Sequence, residues 1–375
     1  MPYTHFRMIA YEIPTVTYIN NDWPRSIISG WDAGQEYQTI GRLPVTAPTA
    51  IQADARIRLK RLAGVVNLAW NRLQALGGDN VNTLKIFILP EFYFRPPATV
   101  GADYTNNTYP PLVFSSIFNV LNSMFQHADF RDWLFICGTA LGNTISDTTV
   151  QPIYHNSAAI VRGGPRVIVD RGLTRLAGVH EIIEKRLNSG IDGIVGSVPG
   201  MDPGTKQIFE DWRMRRKRVM EIDGVSMGLD ICLDHVSSVL KQTVADWSSK
   251  ENGARTPALK FHLLTAGAMS IRPSDVVAKV GGYVIRNDGL ATAPASARSE
   301  LKRVTGYSYT LPIVGREISV SPTNKYGKAA LVNVPSVSTF DIPAGPMQVP
   351  RPGTGTQYHW FDQRIVFYDS IVLPT

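Results

Sequence analysis

What most restricts this chain is a series of short, nearly all-apolar runs that alternate with segments of helical period. Residues 51–78, "IQADARIRLKRLAGVVNLAWNRLQALGG", carry apolar side chains at three- and four-residue spacing. Ile57, Leu62, Val65, Val66, Leu68 and Ala69 fall on one side, and Gly77 and Gly78 supply a stop, so the spacing predicts a long amphipathic helix. "LKIFILPEFYF" (84–94) then predicts a buried strand, "PPLVFSSIFNVLNSMFQHADF" (110–130) a helix, and "WLFICGTALG" (133–142) a second buried strand. "QPIYHNSAAIVRGG" and "RVIVDRG" predict two strands joined as a hairpin through Gly163 and Gly164. "SMGLDICLD" and "KFHLLTAGAM" predict two more, with helix or loop around 236–246 between them. Strands that first alternate with helices and later pair with each other imply an α/β fold with at least one mixed sheet. The 375 residues contain no internal repeat and no low-complexity linker, which favours one domain over 1–375. Turn-rich stretches at 18–49 and 291–326 read as loop excursions from it.

Composition removes several classes of function. With 44% apolar and 18% charged residues, the chain is an ordinary globular one. Its two cysteines, Cys137 and Cys232, lie in separate predicted strands, which argues against a disulfide scaffold and suits a reducing compartment. No C-x-x-C and no histidine pair at ligand spacing occurs, so no metal is expected. The apolar runs are too short to span a bilayer and the first residues lack a signal-peptide pattern, so the expected location is the cytoplasm, with no membrane partner. The net charge of +7 owes much to Arg213, Arg215, Arg216, Lys217 and Arg218. That cluster reads either as a phosphate or nucleic-acid contact or as a solvated face. Without interleaved aromatics or a known nucleic-acid module, no nucleic-acid partner is expected.

The chemistry concentrates in "GVSMGLDICLDHVSS" (224–238). Gly224, Ser226 and Gly228 have the G-x-S-x-G spacing of a serine hydrolase. A nucleophile elbow, however, needs a strand before the serine and a helix after it, and here the order is reversed. Cys232 is the other candidate nucleophile, with Asp230, Asp234 and His235 crowding its strand end. His235 as its base would require a turn to begin at once, because residues three apart on a strand face opposite ways. Glu91, after a buried strand and Pro90, is the other candidate base. Phe92, Tyr93 and Phe94 would take it out of water, as a general base working near neutrality requires. A surface-turn glutamate and a structural buried cysteine are the plain alternatives.

Three stretches in order, "FILPEFYF" with Glu91, "IIEKRL" with Lys185 and "GLDICLDH" with Cys232, resemble the Glu-Lys-Cys triad of the nitrilase superfamily of carbon–nitrogen hydrolases. "FICGTALG", "YHNSAAIV" and "HLLTAGAMS" resemble further strands of that family, over about residues 1–287. The resemblance implies a four-layer α-β-β-α sandwich of two mixed sheets. It implies hydrolysis of a non-peptide amide, or a nitrile, through a thioester on Cys232, with no cofactor, and a homodimer or larger homo-oligomer. Glu91 would be the base, and Lys185 with the Leu233 N–H would hold the oxyanion. Tyr93 and Arg95 would belong to an aromatic-lined entrance. Asp192 is the one acid near the place of the family's additional glutamate. His235, where the family has Arg or Asn, would alter substrate contacts. Lys185 lies 29 residues past Asn156, which implies an insertion near 162–180.

Overall fold

A computed structural model describes residues 2–15, 53–96, 108–145, 152–170, 173–187, 189, 212–251, 256–290, 298–309, 327–342 and 363–374. The expected excursion at 18–49 and Asp192 lie outside these residues.

The first half of the chain is β1 (His5–Glu12), α1 (Ala53–Ala75), β2 (Thr83–Ile88), α2 (Pro111–Met124), β3 (Trp133–Ile145), β4 (Pro152–Asp170) and β5 (Leu173–Glu184). The second half is α3 (Trp212–Arg216), β6 (Val219–Ile222), β7 (Val225–Ile231), α4 (Leu233–Val236), α5 (Val239–Lys250), β8 (Phe261–Ala266) and β9 (Tyr283–Asp288), followed by β10 (Ser299–Tyr309), β11 (Gly327–Val334), β12 (Ser336–Ile342), β13 (Gln363–Tyr368) and β14 (Ile371–Val372). One sheet has the order β12-β13-β1-β2-β3-β4-β5, with β14 also on β1; the other has the order β11-β10-β9-β8-β7-β6. Both are mixed. β1, β2 and β3 run parallel in the first sheet, β7, β8 and β9 in the second, and antiparallel strands flank each trio.

Side-chain alternation along the strands builds the layers. Phe6, Met8 and Ala10 of β1 and Leu84, Ile86 and Ile88 of β2 face the core between the sheets, where they meet Met227, Leu229 and Ile231 of β7. Ile9 and Tyr11, with Phe87 of β2, face the other way, onto Leu62, Val65, Val66 and Ala69 of α1 and Ile117 and Leu121 of α2. Leu240 and Val244 of α5 pack with Leu259 and Val277 outside the second sheet. The layer order is therefore α-β-β-α, as expected. Helix α1 ends as its glycines dictate, with Gly77 at φ 97° and Gly78 at φ 67°.

Two expectations about loops need correction. Gly163 and Gly164 do not turn the chain. β4 runs through them to Asp170, with a register irregularity against β5 between Arg162 and Val167. Gly163 is there because a Cβ would come within 2.6 Å of the Phe130 carbonyl oxygen, and the Gly164 N–H bonds the Phe125 carbonyl at 2.8 Å. The 162–180 insertion is thus an extension of the β4–β5 ribbon. Within 291–326, residues 299–309 form β10, paired between β9 and β11 in the second sheet.

Candidate active site

The carboxyl ends of β2, β7 and β8 converge, and all three leave their sheets through a non-glycine residue at positive φ. These are Phe92 (63°) after β2, Cys232 (47°) after β7 and Ala268 (70°) after β8. Such residues are costly and persist only where surroundings over-determine them. Here each N–H is held: Phe92 by Thr139 Oγ1 (2.9 Å), Cys232 by the Thr265 carbonyl (3.0 Å) and Ala268 by Asp288 Oδ1 (3.0 Å). The crevice beyond parallel strand ends is where open α/β sheets place their sites.

Cys232 sits on a strand–turn–helix elbow, with β7 before it and α4 beginning at Leu233. The turn that seemed missing for Ser226 is present six residues later. Ser226 itself donates to the Ala258 carbonyl at 2.7 Å. The Cys232 thiol points at the Gly267 carbonyl, 3.4 Å away. Leu233 is the first residue of α4, a position whose N–H has no acceptor inside the helix.

Glu91 and Lys185 meet. Glu91 Oε1 accepts from Lys185 Nζ at 2.9 Å, and both side chains are buried. Lys185 lies at a strand end and is 4% exposed. It follows β5 on the same side as Ile183, facing the space between the sheets, while Glu181 pairs with Lys217 at 4.0 Å. β8 ties this pair to the nucleophile's elbow. Thr265 accepts the Cys232 N–H through its carbonyl and donates its hydroxyl to the Leu89 carbonyl at 3.1 Å. The Ala266 carbonyl accepts the Glu91 N–H at 3.2 Å. Asn287 Nδ2 adds a second bridge between the sheets, to the Ile88 (2.8 Å) and Tyr11 (2.9 Å) carbonyls.

Three further residues join this group. Asn156 gave no sign of membership in the sequence, while Phe92 and Asp234 stood out only as neighbours of Glu91 and Cys232. Asn156 Nδ2 donates to Glu91 Oε1 at 2.9 Å. The Phe92 ring lies 5.6 Å from Lys185 Nζ and 4.9 Å from the Arg95 guanidinium. Asp234 accepts the N–H groups of Arg186 (2.9 Å) and Leu187 (2.9 Å) and pairs with Arg218 at 2.7 Å, which fastens the segment after Lys185 to the elbow. Burial pushes the Asp234 carboxyl up, against the pull of Arg218 and of the Arg186 N–H.

The other sequence candidates take different places from those expected. The aromatic run after Glu91 is core rather than entrance: Phe92, Tyr93 and Phe94 are at most 1% exposed. Tyr93 turns toward α1, donating to the Arg58 carbonyl at 3.0 Å. Arg95 is likewise buried, beside Phe92. His235 belongs to a separate buried cluster on the outer face of the second sheet, because Asp230 and His262 alternate away from the face that carries Ile231 and Leu263.

In that cluster Asp230 Oδ2 lies 3.4 Å from His235 Nδ1 and 3.2 Å from His262 Nε2, a grouping that resembles a metal site. The outer nitrogens argue otherwise. His235 Nε2 faces the Arg272 N–H (3.0 Å), and His262 Nδ1 faces the Val277 N–H (3.3 Å). Both must be acceptors, so by hydrogen-bond assignment both protons sit on the nitrogens that face Asp230. A metal-binding imidazole carries its remaining proton on the outer nitrogen, where these backbone donors would oppose it. The set fits a carboxylate bonded to His235 Nδ1 (3.4 Å) and the Leu240 N–H (3.1 Å), with His262 Nε2 beside it at 3.2 Å. Burial would raise the Asp230 pKa, but the two histidines bring it well below the usual carboxylate range, and burial lowers that of His262.

The basic cluster is largely committed to acids: Arg215 to Asp246, Arg216 to Glu251, Lys217 to Glu181 and Arg218 to Asp234. Among the described residues no helix is long and apolar enough to cross a membrane.

No family model matches the sequence, and no curated protein does. Solved structures similar to this chain include Nit3 of Saccharomyces cerevisiae, a member of branch 10 of the nitrilase superfamily (10% identity, 80% of this chain and 82% of that one, TM-score 0.38). A variant of the amidase from Nesterenkonia sp. AN1 is 9% identical over 97% of this chain and 93% of its own, with TM-score 0.40. A carbon–nitrogen hydrolase from Helicobacter pylori G27 is 9% identical over 100% of this chain and 91% of its own, with TM-score 0.37. At such values no residue role carries over, and the chemistry of the site stands on its own geometry.

Proposed function

We propose that the chain is a cysteine-dependent carbon–nitrogen hydrolase that cleaves a non-peptide amide through a thioester. The observation that carries this reading is the buried Glu91–Lys185 pair, 2.9 Å apart, joined through β8 to the strained Cys232 elbow. A thiol becomes a nucleophile when a base takes its proton and donors hold the oxyanion that forms. In this scheme Glu91 takes the Cys232 proton as sulfur adds to the carbonyl carbon. Lys185 and the Leu233 N–H hold the oxyanion. Collapse expels the amine with the proton Glu91 carried, and Glu91 then deprotonates the water that cleaves the thioester. A nitrile could enter by the same attack, and an amine or alcohol could replace water in the last step. A homodimer or larger assembly and a cytoplasmic setting belong to the same reading.

The test is amine or ammonia release from a panel of short amides and matching nitriles, with hydroxylamine added in parallel to capture acyl transfer as hydroxamate. Cys232→Ala, Glu91→Gln and Lys185→Met should each lower the rate by about 10³-fold. Undiminished turnover in Cys232→Ala would overturn the proposal.

A further inference from the structure

We infer that Asn156 is a positioning residue for the general base: it fixes the Glu91 carboxylate and sets it in register with Lys185. This rests on the reading of Glu91, Lys185 and Cys232 as one site. Asn156 is 6% exposed and lies on β4 two residues before Ala158 and four before Ile160, both in the core between the sheets. Its side chain therefore shares their face. β4 and β5 pair Ser157 with Glu184, and the next step along the ribbon carries the Lys185 N–H to the Asn156 carbonyl at 2.8 Å.

One residue thus bonds both partners of the pair. Its main chain places Lys185, and its amide donates to the Glu91 oxygen that also accepts Lys185 Nζ, each at 2.9 Å. Two donors on one oxygen hold the carboxylate in one rotamer and favour its ionised form. Facing the Glu91 carboxylate are Lys185 Nζ from the end of β5 and the Asn156 amide from β4. Its main chain is held by the Ala266 carbonyl of β8, which accepts the Glu91 N–H, and by the Thr15 hydroxyl after β1, which donates to the Glu91 carbonyl. An acid at 156 would have the same shape and the opposite effect, because neighbouring carboxyls cannot both ionise freely.

The experiment is the rate of iodoacetamide labelling of Cys232 against pH in the full chain, read by peptide mass spectrometry, with Cys137 as the internal buried control. In Asn156→Asp the acid limb of the profile should move alkaline by at least one pH unit, with labelling at pH 7 about ten-fold slower. Asn156→Ser, which removes the amide without adding charge, should slow labelling without that alkaline shift. Thermal unfolding shows whether each variant is folded. A purely structural role predicts slowing in both variants with no displaced limb, and that result overturns the inference. Cys232 labelling that responds to Glu91→Gln but not to Asn156→Asp overturns it while leaving the site reading intact. Labelling that is absent, or indifferent to Glu91→Gln as well, overturns the site reading itself.

Discussion

Replacing Asp234 by alanine should be among the most damaging single changes outside the reacting groups. The carboxylate accepts two backbone N–H groups at 2.9 Å, from Arg186 and Leu187, and neutralises Arg218, which is 2% exposed. Removing one member of a buried ion pair costs about 3–5 kcal/mol, because the remaining charge stays desolvated. Orphaning two backbone donors costs about 1–3 kcal/mol each, an overlapping penalty where the segment can relax toward solvent. Arg218 keeps a second acceptor, the Glu184 carbonyl, so about 4 kcal/mol in total is a fair expectation. Unfolding entropy near 2.1 cal/mol/K per residue gives about 0.8 kcal/mol/K for 375 residues, so the midpoint should fall by about 5 °C. Asp234→Asn keeps an acceptor oxygen and should lose about half as much. Adding Arg218→Met to Asp234→Ala removes the stranded charge and should recover about 1–3 kcal/mol, which a denaturant-based double-mutant cycle measures. A loss below about 1 kcal/mol for Asp234→Ala, or no coupling with Arg218, would refute the view that this carboxylate anchors the Lys185 segment.

Gly138→Ala should disable the site with the folds of both sheets retained. Gly138 has φ 66°, and a Cβ there would lie 2.4 Å from the Pro90 carbonyl, one residue before Glu91. Turnover of any amide found for the wild type should fall more than ten-fold, and undiminished turnover would contradict the packing. Thr265→Val keeps the shape but leaves the Leu89 carbonyl without its hydroxyl donor, at a cost of about 1–3 kcal/mol by denaturant unfolding. Acid should destabilise the protein through His262. Its folded pKa is depressed below 6.5, so the unfolded chain takes up the proton first; that stability is present above pH 6.5 and is lost as the pH falls. Asp230, also depressed, extends the loss below its ordinary 3.8. The slope should reach up to about 1.4 kcal/mol per pH unit per group, and His262→Gln should flatten it between pH 6.5 and 5. An unchanged slope in that variant would assign the acid sensitivity elsewhere.

Most of the strands and the first two helices could be read in the sequence because each is a local signal, a short apolar run or an apolar face at helical spacing. Glu91 and Cys232 stood out because each interrupts or closes such a run. What could not be read depends on direction or on distance. Tyr93 and Arg95 sit beside Glu91 in the chain, but the left-handed turn at Phe92 sends Tyr93 toward α1. His235 is three residues from Cys232, yet it joins Asp230, whose place on β7 alternates to the opposite face from Ile231. Asn156 gives no local sign of its role, since its partner Glu91 is 65 positions away. β10 escaped notice because a bulge between Val304 and Gly306 breaks the alternation that marks a strand. The basic run at 213–218 shows the same limit for charge. Five cations in six residues suggest a polyanion, but Asp246, Glu251, Glu181 and Asp234 each take one of the four from Arg215 to Arg218. Arg218 is turned inward, where its charge balances the carboxylate that holds the Lys185 segment to the elbow. A charge run becomes a binding surface only by what folding leaves uncompensated, and for Arg218 folding leaves nothing to offer a polyanion.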